Sequence, residues 1–455
     1  MSAALTAANV DEPRRTRLDR IFRLRENRTD VRTEVLAGAT TFVTLAYILF
    51  VNPNILKDAG MPVEATFAAT CLASAFATVL MGVYANYPIA VAPGMGLNAF
   101  FTYAVVIGMR LPWQTALGAV FISGLVFFLL TVTRVRQWIV DGVPGVLRSA
   151  IGVGIGLFIA FIGLRNAGII VRSDATLVTL GAMNTPGVLV ALAGLLVTAG
   201  LVARHVRGAL LLGVAATTAI AMTAGVAPIP KGPSSLFTMT NPFAALQPTA
   251  FKLDVPGALR FGLVPILFSF TFVDLFDNIG TLIGVSRKAR LLDDIGRLPR
   301  IGRALVADSV GTMFGALLGT STVTSYIESA AGVSEGGRTG LTAVVVGLLF
   351  LIALAFAPLV GFIPTQATAP VLILIGALMM VEIVHIRFDD FTDAVPAFLT
   401  IAMMPLTYSI AQGLAFGFVS YTVVKLLAGR HRENNLVTYT LTILFLLHFF
   451  VGAKR

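Results

Sequence analysis

The chain has 455 residues, 56% of them hydrophobic and 12% charged, with a formal net charge of +10. Long apolar runs at that composition exclude an ordinary soluble globular protein and indicate a polytopic α-helical membrane protein. A single cysteine, Cys71, excludes an internal disulfide framework or a cysteine metal cluster.

Residues 1–32 are polar, arginine-rich and free of lysine, with no apolar core of the kind a cleavable signal peptide has. Apolar spans follow at about 33–52, 65–85, 88–108, 113–133, 146–164, 187–203 and 208–227. A polar, proline-rich connection runs from Pro228 to about Pro256. A second set then reads 258–284, 301–318, 320–335, 340–360, 365–384, 394–409 and 411–428. Leu436–Val451 is apolar but short for a full crossing and reads as an interfacial helix, with a tilted span or a helix packed along the bundle as alternatives. Trp113 and Trp138 lie near span ends, where tryptophan anchors at the membrane interface.

Orientation checks the count. With a cytoplasmic N-terminus, loops after even-numbered spans should carry the Lys and Arg. Arg134, Arg136, Arg148, Arg204, Arg207, the run from Arg287 to Arg303, Arg338, Arg387, Lys425, Arg430 and Arg432 all fall there. Lys57, Arg110, Arg165, Arg172, Lys231, Lys252 and Arg260 fall on the other side. A wrong span count would scramble this alternation. The basic balance is therefore topology rather than a nucleic-acid footprint, and the chain reads as a multi-pass protein of the plasma (inner) membrane. Seven spans per half is an odd number, so the two halves enter the membrane from opposite sides as a 7+7 inverted repeat.

Two corresponding segments read badly as helices. The third opens Tyr87-Pro-Ile-Ala-Val-Ala-Pro-Gly-Met-Gly-Leu-Asn98, where prolines and glycines prevent a clean helical start. The tenth, within Gly319–Gly340, opens on Thr, Ser and Val, which favour extended backbone. Irregular backbone at membrane depth survives only where it is buried in protein or lines a cavity. Interrupted spans at matching positions in two halves point to a midplane binding site.

The tenth segment also carries Glu328, with no cation nearby in sequence. A carboxylate at membrane depth costs roughly 2.5–3.5 kcal/mol on insertion scales, which makes such an acid a functional-site candidate. Asp274, Asp277 and Asp308 are the other acids read within spans. Asp274 and Asp277 share one face of the eighth segment, and Asn278 and Thr281 extend its polar surface. Asp308, beside Ser309, reads as a structural hydrogen-bonding residue. Asn98 offers both a donor and an acceptor for the edge of a planar heterocycle, against a simpler role in capping a broken helix. Tyr326 would share a side with Glu328 in an extended segment. Phe100 and Phe101 have faces on which a ring could stack, although aromatics in an apolar span more often simply pack.

Enzyme signatures are missing. His205, His385, His431 and His448 fall in loops or the tail, with neither an H-E-x-x-H nor a G-x-x-x-x-G-K-[ST] motif. An ion gradient is then the energy source. Carboxylates without basic partners suit a proton, with Na⁺ left open, and neither a metal nor a cofactor is expected.

Three long motifs carry a resemblance: MGVYANYPIAVAPGMGLNAFF (81–101), FVDLFDNIGTLIGVSRKA (272–289) and GTSTVTSYIESAAGVSEGGRTGLTAV (319–344). On these the chain resembles the nucleobase–ascorbate transporters (nucleobase:cation symporter-2), in particular their AzgA-like branch of adenine/guanine/hypoxanthine permeases. The resemblance implies short extended strands in segments 3 and 10. It implies a core domain of segments 1–4 (33–133) and 8–11 (258–360), and a gate domain of segments 5–7 (144–228) and 12–14 (363–428). It places the family's segment 8 acid on Asp277, its segment 10 acid on Glu328 with the aromatic on Tyr326, and the branch's segment 3 asparagine on Asn98. Proton symport, with Asp277, Glu328 and Asp274 as coupling candidates, and a homodimer joined by its gate domains are also implied. Ser329 stands where the wider family has asparagine, and the following glycine is Gly332, four rather than three after the acid. That fits the purine branch better than a uracil or xanthine specialist.

The expected function is import of purine nucleobases by proton symport, with elevator-like movement of core against gate. The alternatives are a sulfate/bicarbonate-type anion transporter of the same architecture, which should avoid central carboxylates, and a membrane-embedded enzyme, for which no hydrolytic motif is present.

Overall fold

The computed structural model describes residues 17–133, 142–230, 232, 242–260, 264–293 and 298–452. The sequence readings for residues 1–16, Arg134, Arg136, Trp138, Lys231, Arg297, Lys454 and Arg455 lie outside the described residues.

Among the described residues, nine helical stretches are long and apolar enough to cross a membrane by length and composition. Shorter apolar helices at Met95–Gly108, Ala209–Thr223 and Phe391–Leu406 supply segments 3, 7 and 13. Val264–Lys288 supplies segment 8. Segment 10 completes the fourteen and is not a single helix. Boundaries shift from the sequence reading in places. Segment 8 starts at Val264, after a separate short helix Val255–Arg260, and segment 13 starts at Phe391.

Segment 1 runs to Asp58 and is broken, as Val31–Leu45 and Ile48–Asp58 with a turn at Ala46 and Tyr47. Pro53 cannot donate to the carbonyl of Leu49, which weakens the helix just after that turn. The sequence reading treats this span as continuous.

Among the described residues, four short strands occur: β1 (Val91–Pro93), β2 (Ile170–Ser173), β3 (Leu177–Leu180) and β4 (Val323–Ser325). β1 opens segment 3 and β4 opens segment 10, as the interrupted spans predict. They pair antiparallel in the register Val91↔Ser325, Ala92↔Thr324, Pro93↔Val323. A two-stranded sheet at this depth has two open edges that lipid cannot satisfy. Each is closed by a threonine from the preceding segment. Thr78 Oγ1 donates to Val91 O at 2.8 Å and accepts from Val91 N at 3.0 Å. Thr312 Oγ1 does the same for Val323, at 2.9 and 3.2 Å. Gly319, at φ +101°, makes the left-handed turn from segment 9 into segment 10 that a side chain would strain. The β2–β3 hairpin, between segments 5 and 6, is largely exposed and was not expected from sequence.

After β1, segment 3 continues as the helix Met95–Ala99 and wider π-helical turns Phe100–Gly108. After β4, segment 10 continues as the short helix Ser329–Ser334. Segments 2 and 11 each pack on segment 1 or 9 and on each other, and segment 4 packs on 8 and 9. Segments 5, 6 and 13 pack against 12, 7 and 14 in a second group. Segments 2 and 11 touch through backbone: a Cβ at Gly340 would lie 1.8 Å from the carbonyl oxygen of Gly82. The C-terminal helix Leu436–Gly452 packs one face on segment 14, with Phe445 stacked on Phe418 at 5.8 Å and Thr442 bonded to Thr422 at 2.7 Å.

Candidate functional site

A cavity of about 820 Å³ lies where segments 1, 3, 8 and 10 face segments 5 and 12. Its polar wall carries Tyr47, Asp277, Thr281 and Glu328, together with Thr324 and Ser325 of β4. Its apolar wall includes Ile155, Ile159 and Ile375 from the opposite group. The interrupted segments 3 and 10, segment 8 and the broken segment 1 bring the polar side chains to one place.

Glu328 sits at the junction between β4 and the helix of segment 10, and its carboxylate accepts a 2.5 Å hydrogen bond from Tyr47 Oη. Tyr47 lies at the two-residue turn between the two helices of segment 1. Asp277 and Thr281, one turn apart on segment 8, face the same space. Between them Gly280 leaves open volume, since a Cβ there would meet no atom within 4 Å. Tyr326 lines the cavity while its hydroxyl donates to Pro93 O at 2.5 Å, tying segment 10 to segment 3.

The other sequence-predicted residues lie behind this wall. Asn98 is fully buried: its amide donates to Asn52 Oδ1 at 2.6 Å and its oxygen accepts from Ser321 Oγ. Asn52 in turn donates to Thr70 and Thr320, at 2.7 and 2.9 Å. Asn98 thus joins segments 1, 3 and 10, and its polar edge is turned away from the cavity. Ser329 Oγ accepts from Ala90 N at 3.0 Å and braces the strand pair. Phe100 packs edge-on to Phe270 at 5.0 Å, and Phe101 is fully buried. Asp274 is buried and does not line the cavity.

Sequence reasoning missed four features. Tyr47 has no signature beyond being an aromatic in an apolar span. Thr324 and Ser325 look like strand formers. Glu34, near the start of span 1, is fully buried. Its carboxylate accepts from the backbone N–H of Arg338, Thr339 and Thr342 at 2.9, 3.2 and 3.1 Å, and from Thr342 Oγ1 at 2.6 Å. It caps segment 11 and so fixes the exit of segment 10. An acid inside a span start was the signal available. Lastly, the cavity runs to a mouth lined by Arg148, Arg287, Glu382 and His385, the last of which reads from sequence as a loop residue.

The far end of segment 5 carries an aromatic and polar cluster. Arg165 lies about 26 Å along the helix from Arg148, at 1.5 Å per residue. There Tyr103 Oη donates to Asp58 at 2.7 Å and accepts from Asn166 at 3.3 Å. The Arg165 guanidinium lies over the Tyr103 and Tyr408 rings, at 5.4 and 5.7 Å. Phe158 and Phe161 meet Tyr408 edge-on at 5.6 and 5.7 Å. This cluster joins segments 1 and 3 to segment 5 and to the loop between 13 and 14.

A bundle of apolar spans around a cavity lined by paired strands and two carboxylates, where interrupted segments meet, defines a multi-pass membrane permease. Residues 32–416 match the sequence model of the Permease family. An adenine permease of Escherichia coli is 46% identical over 433 residues, 94% of this chain and 95% of that protein. A guanine/hypoxanthine permease of Bacillus subtilis is 44% identical over 441 residues, 95% of this chain and 100% of that one. The chain belongs to the nucleobase–ascorbate transporter family. The transmembrane domain of a cyanobacterium bicarbonate transporter has the same fold, with a TM-score of 0.65 at 16% identity over 84% of this chain and 97% of that one. The relatives are permeases, not enzymes.

Proposed function

We infer that this chain imports purine nucleobases (adenine, guanine, hypoxanthine) by proton symport. The observation that carries the reading is the placement of Asp277 and Glu328 in one cavity whose basic lining residues, Arg148, Arg287 and His385, are grouped at its mouth. An anion would be repelled by such a site, so the anion-transporter reading is disfavoured even though a bicarbonate transporter shares the fold. A neutral base carrying N–H donors suits it, because carboxylates are acceptors. The substrates named for the adenine and guanine/hypoxanthine permeases point the same way.

A proton taken up by one of the two acids, with Asp277 favoured, neutralises charge that would be costly to move uncompensated. Glu328, held by Tyr47, then orients the base. Segments 1–4 and 8–11 act as the moving core and segments 5–7 and 12–14 as the gate. The mouth at Arg148, Arg287 and His385 is the cytoplasmic one, as the distribution of basic loops suggests, and the Arg165–Tyr408 cluster closes the outer side. Sliding the core along segments 5 and 12 would open that cluster and shut the mouth.

The test is uptake into proteoliposomes of purified protein, with hypoxanthine, guanine and adenine under an imposed pH gradient or an imposed Na⁺ gradient. Concentrative purine uptake with the pH gradient alone supports the reading. Accumulation driven only by Na⁺ replaces the coupling ion, and bicarbonate uptake without purine uptake replaces the substrate.

A further inference from the structure

The two helical groups also meet away from the cavity, at the turn between segments 6 and 7. Gly208, at φ +69°, opens segment 7 and rests on segment 1, where a Cβ on it would lie 2.5 Å from Val43 Cγ1. Both the left-handed backbone and the close approach call for glycine here. Beside it, Arg207 Nη2 forms a 2.6 Å ion pair with Glu335 Oε1. Glu335 ends the short helix of segment 10, and its side chain is 20% exposed, so the carboxylate has lost much of its water.

Each partner belongs to a different unit. Glu335 N donates to Gly332 O at 3.0 Å, and Arg338 N, three residues on, donates to Glu34 of segment 1 at 2.9 Å. Arg207 sits on a turn closed by His205 N to Val202 O at 2.9 Å and Val206 N to Leu201 O at 3.0 Å. The pair thus ties segments 1, 10 and 11 to segments 6 and 7. The ion pairs of Lys425 and Arg430, by contrast, stay within the second group.

We propose that Arg207 and Glu335 form a state-dependent latch, which holds the inward-facing arrangement and breaks when the outward-facing one forms. This rests on the core-and-gate reading above. The contact lies on the side that the basic loops mark as cytoplasmic, and it is made in the same structure as the Arg165–Tyr408 cluster at the other end. Segment 10 moves with the core and the 6–7 turn stays with the gate, so a slide longer than an arginine side chain can follow parts the pair. A partly exposed ion pair is a modest contact. That suits a bond made and broken in each cycle, because it biases the equilibrium between two states without trapping either.

The experiment compares Arg207→Gln, Glu335→Gln and the double variant with the parent by two readouts. The first uses no substrate. Each variant is built with Asn166→Cys, in the outer cluster, and labelled from outside with a membrane-impermeant maleimide; Cys71 is fully buried. The labelling rate follows the minor outward-facing population and should rise about 2- to 5-fold in either single variant. The double variant should match the single ones, since each removes the same pair. The second readout is KM for hypoxanthine, without the cysteine. KM from outside should fall by the same factor, because the competent state is more populated, while KM in inverted membrane vesicles moves less than about 2-fold. Unchanged labelling, a higher KM from outside, or additive effects in the double variant would overturn the latch and leave the pair a brace for the turn. Wild type that takes up no purine would overturn the purine reading alone, and labelling would still decide the latch.

Discussion

Tyr47→Phe isolates one hydrogen bond. The tyrosine is 1% exposed, and its ring would keep its packing as phenylalanine. What disappears is the 2.5 Å bond from Tyr47 Oη to Glu328 Oε1, which crosses from segment 1 to segment 10. Hydrogen bonds to a charged group contribute about 1.5–3 kcal/mol, or roughly 10- to 150-fold in an equilibrium. If that bond positions the carboxylate for a ligand, the loss falls on ligand affinity. KM for the preferred base should rise at least ~10-fold, toward the lower end of that range because water in the cavity can replace part of the bond. The assay is concentration-dependent uptake in a transport-deficient host, with membrane abundance measured by immunoblot and the thermal midpoint of purified protein as the control for folding. A variant with wild-type KM and Vmax would refute the idea that Tyr47 organises the site. A variant missing from the membrane would show that the bond acts on folding instead.

Three other outcomes follow from the same structure. Glu34→Ala removes the acceptor for three backbone N–H groups at the start of segment 11. At ~1–3 kcal/mol for each orphaned donor it should lower the thermal midpoint by many degrees or prevent accumulation, and an unchanged midpoint would contradict the capping role. Gly280→Leu and Gly340→Ala should fail in opposite ways. The first projects into open cavity and should spare the fold while weakening base binding; the second meets Gly82 O and should cost about 1–3 kcal/mol or more of stability. Equal melting curves for the two variants would refute that contrast. Asp390 caps segment 13 in the loop after segment 12, and a hydrogen bond from Thr392 and then Arg430 at 2.6 Å hold its carboxyl well below the usual range. A carboxyl depressed in the fold stabilises it above its unfolded value, near pH 4, and stops doing so as pH falls through the folded one. The melting difference between wild type and Asp390→Asn should thus be steady above about pH 5 and shrink in stronger acid, and a difference that grew on acidification would contradict it.

The membrane architecture was legible in sequence because insertion imposes strong rules. Apolar spans must be long, cations sort to one side, and a charged residue such as Glu328 or Asp277 stands out against its surroundings. Proline and glycine at Pro88, Pro93 and Gly94 exposed the break in segment 3, and Thr/Ser/Val content exposed the strand in segment 10. The site itself was legible where it carried charge and at two uncharged neighbours of those acids, Thr281 and Tyr326. Asn98 has the right chemistry for ligand recognition, but Asn52 and Ser321 occupy it, and those partners lie 46 and 223 residues away. Tyr47 depends on a break two residues long that Pro53 marks only indirectly. Thr324 and Ser325 carry no composition signal, since the same residues would suit any strand. The β2–β3 hairpin is exposed and so leaves no burial pattern to read.

The measurement that bears most directly on the account is saturable uptake of radiolabelled hypoxanthine, guanine and adenine by wild type, Asp277→Asn and Glu328→Gln, with and without a protonophore. The account predicts saturable wild-type uptake that the protonophore abolishes, and loss of uptake in both variants although each reaches the membrane. Wild-type kinetics in both variants would place the binding and coupling groups elsewhere and contradict it.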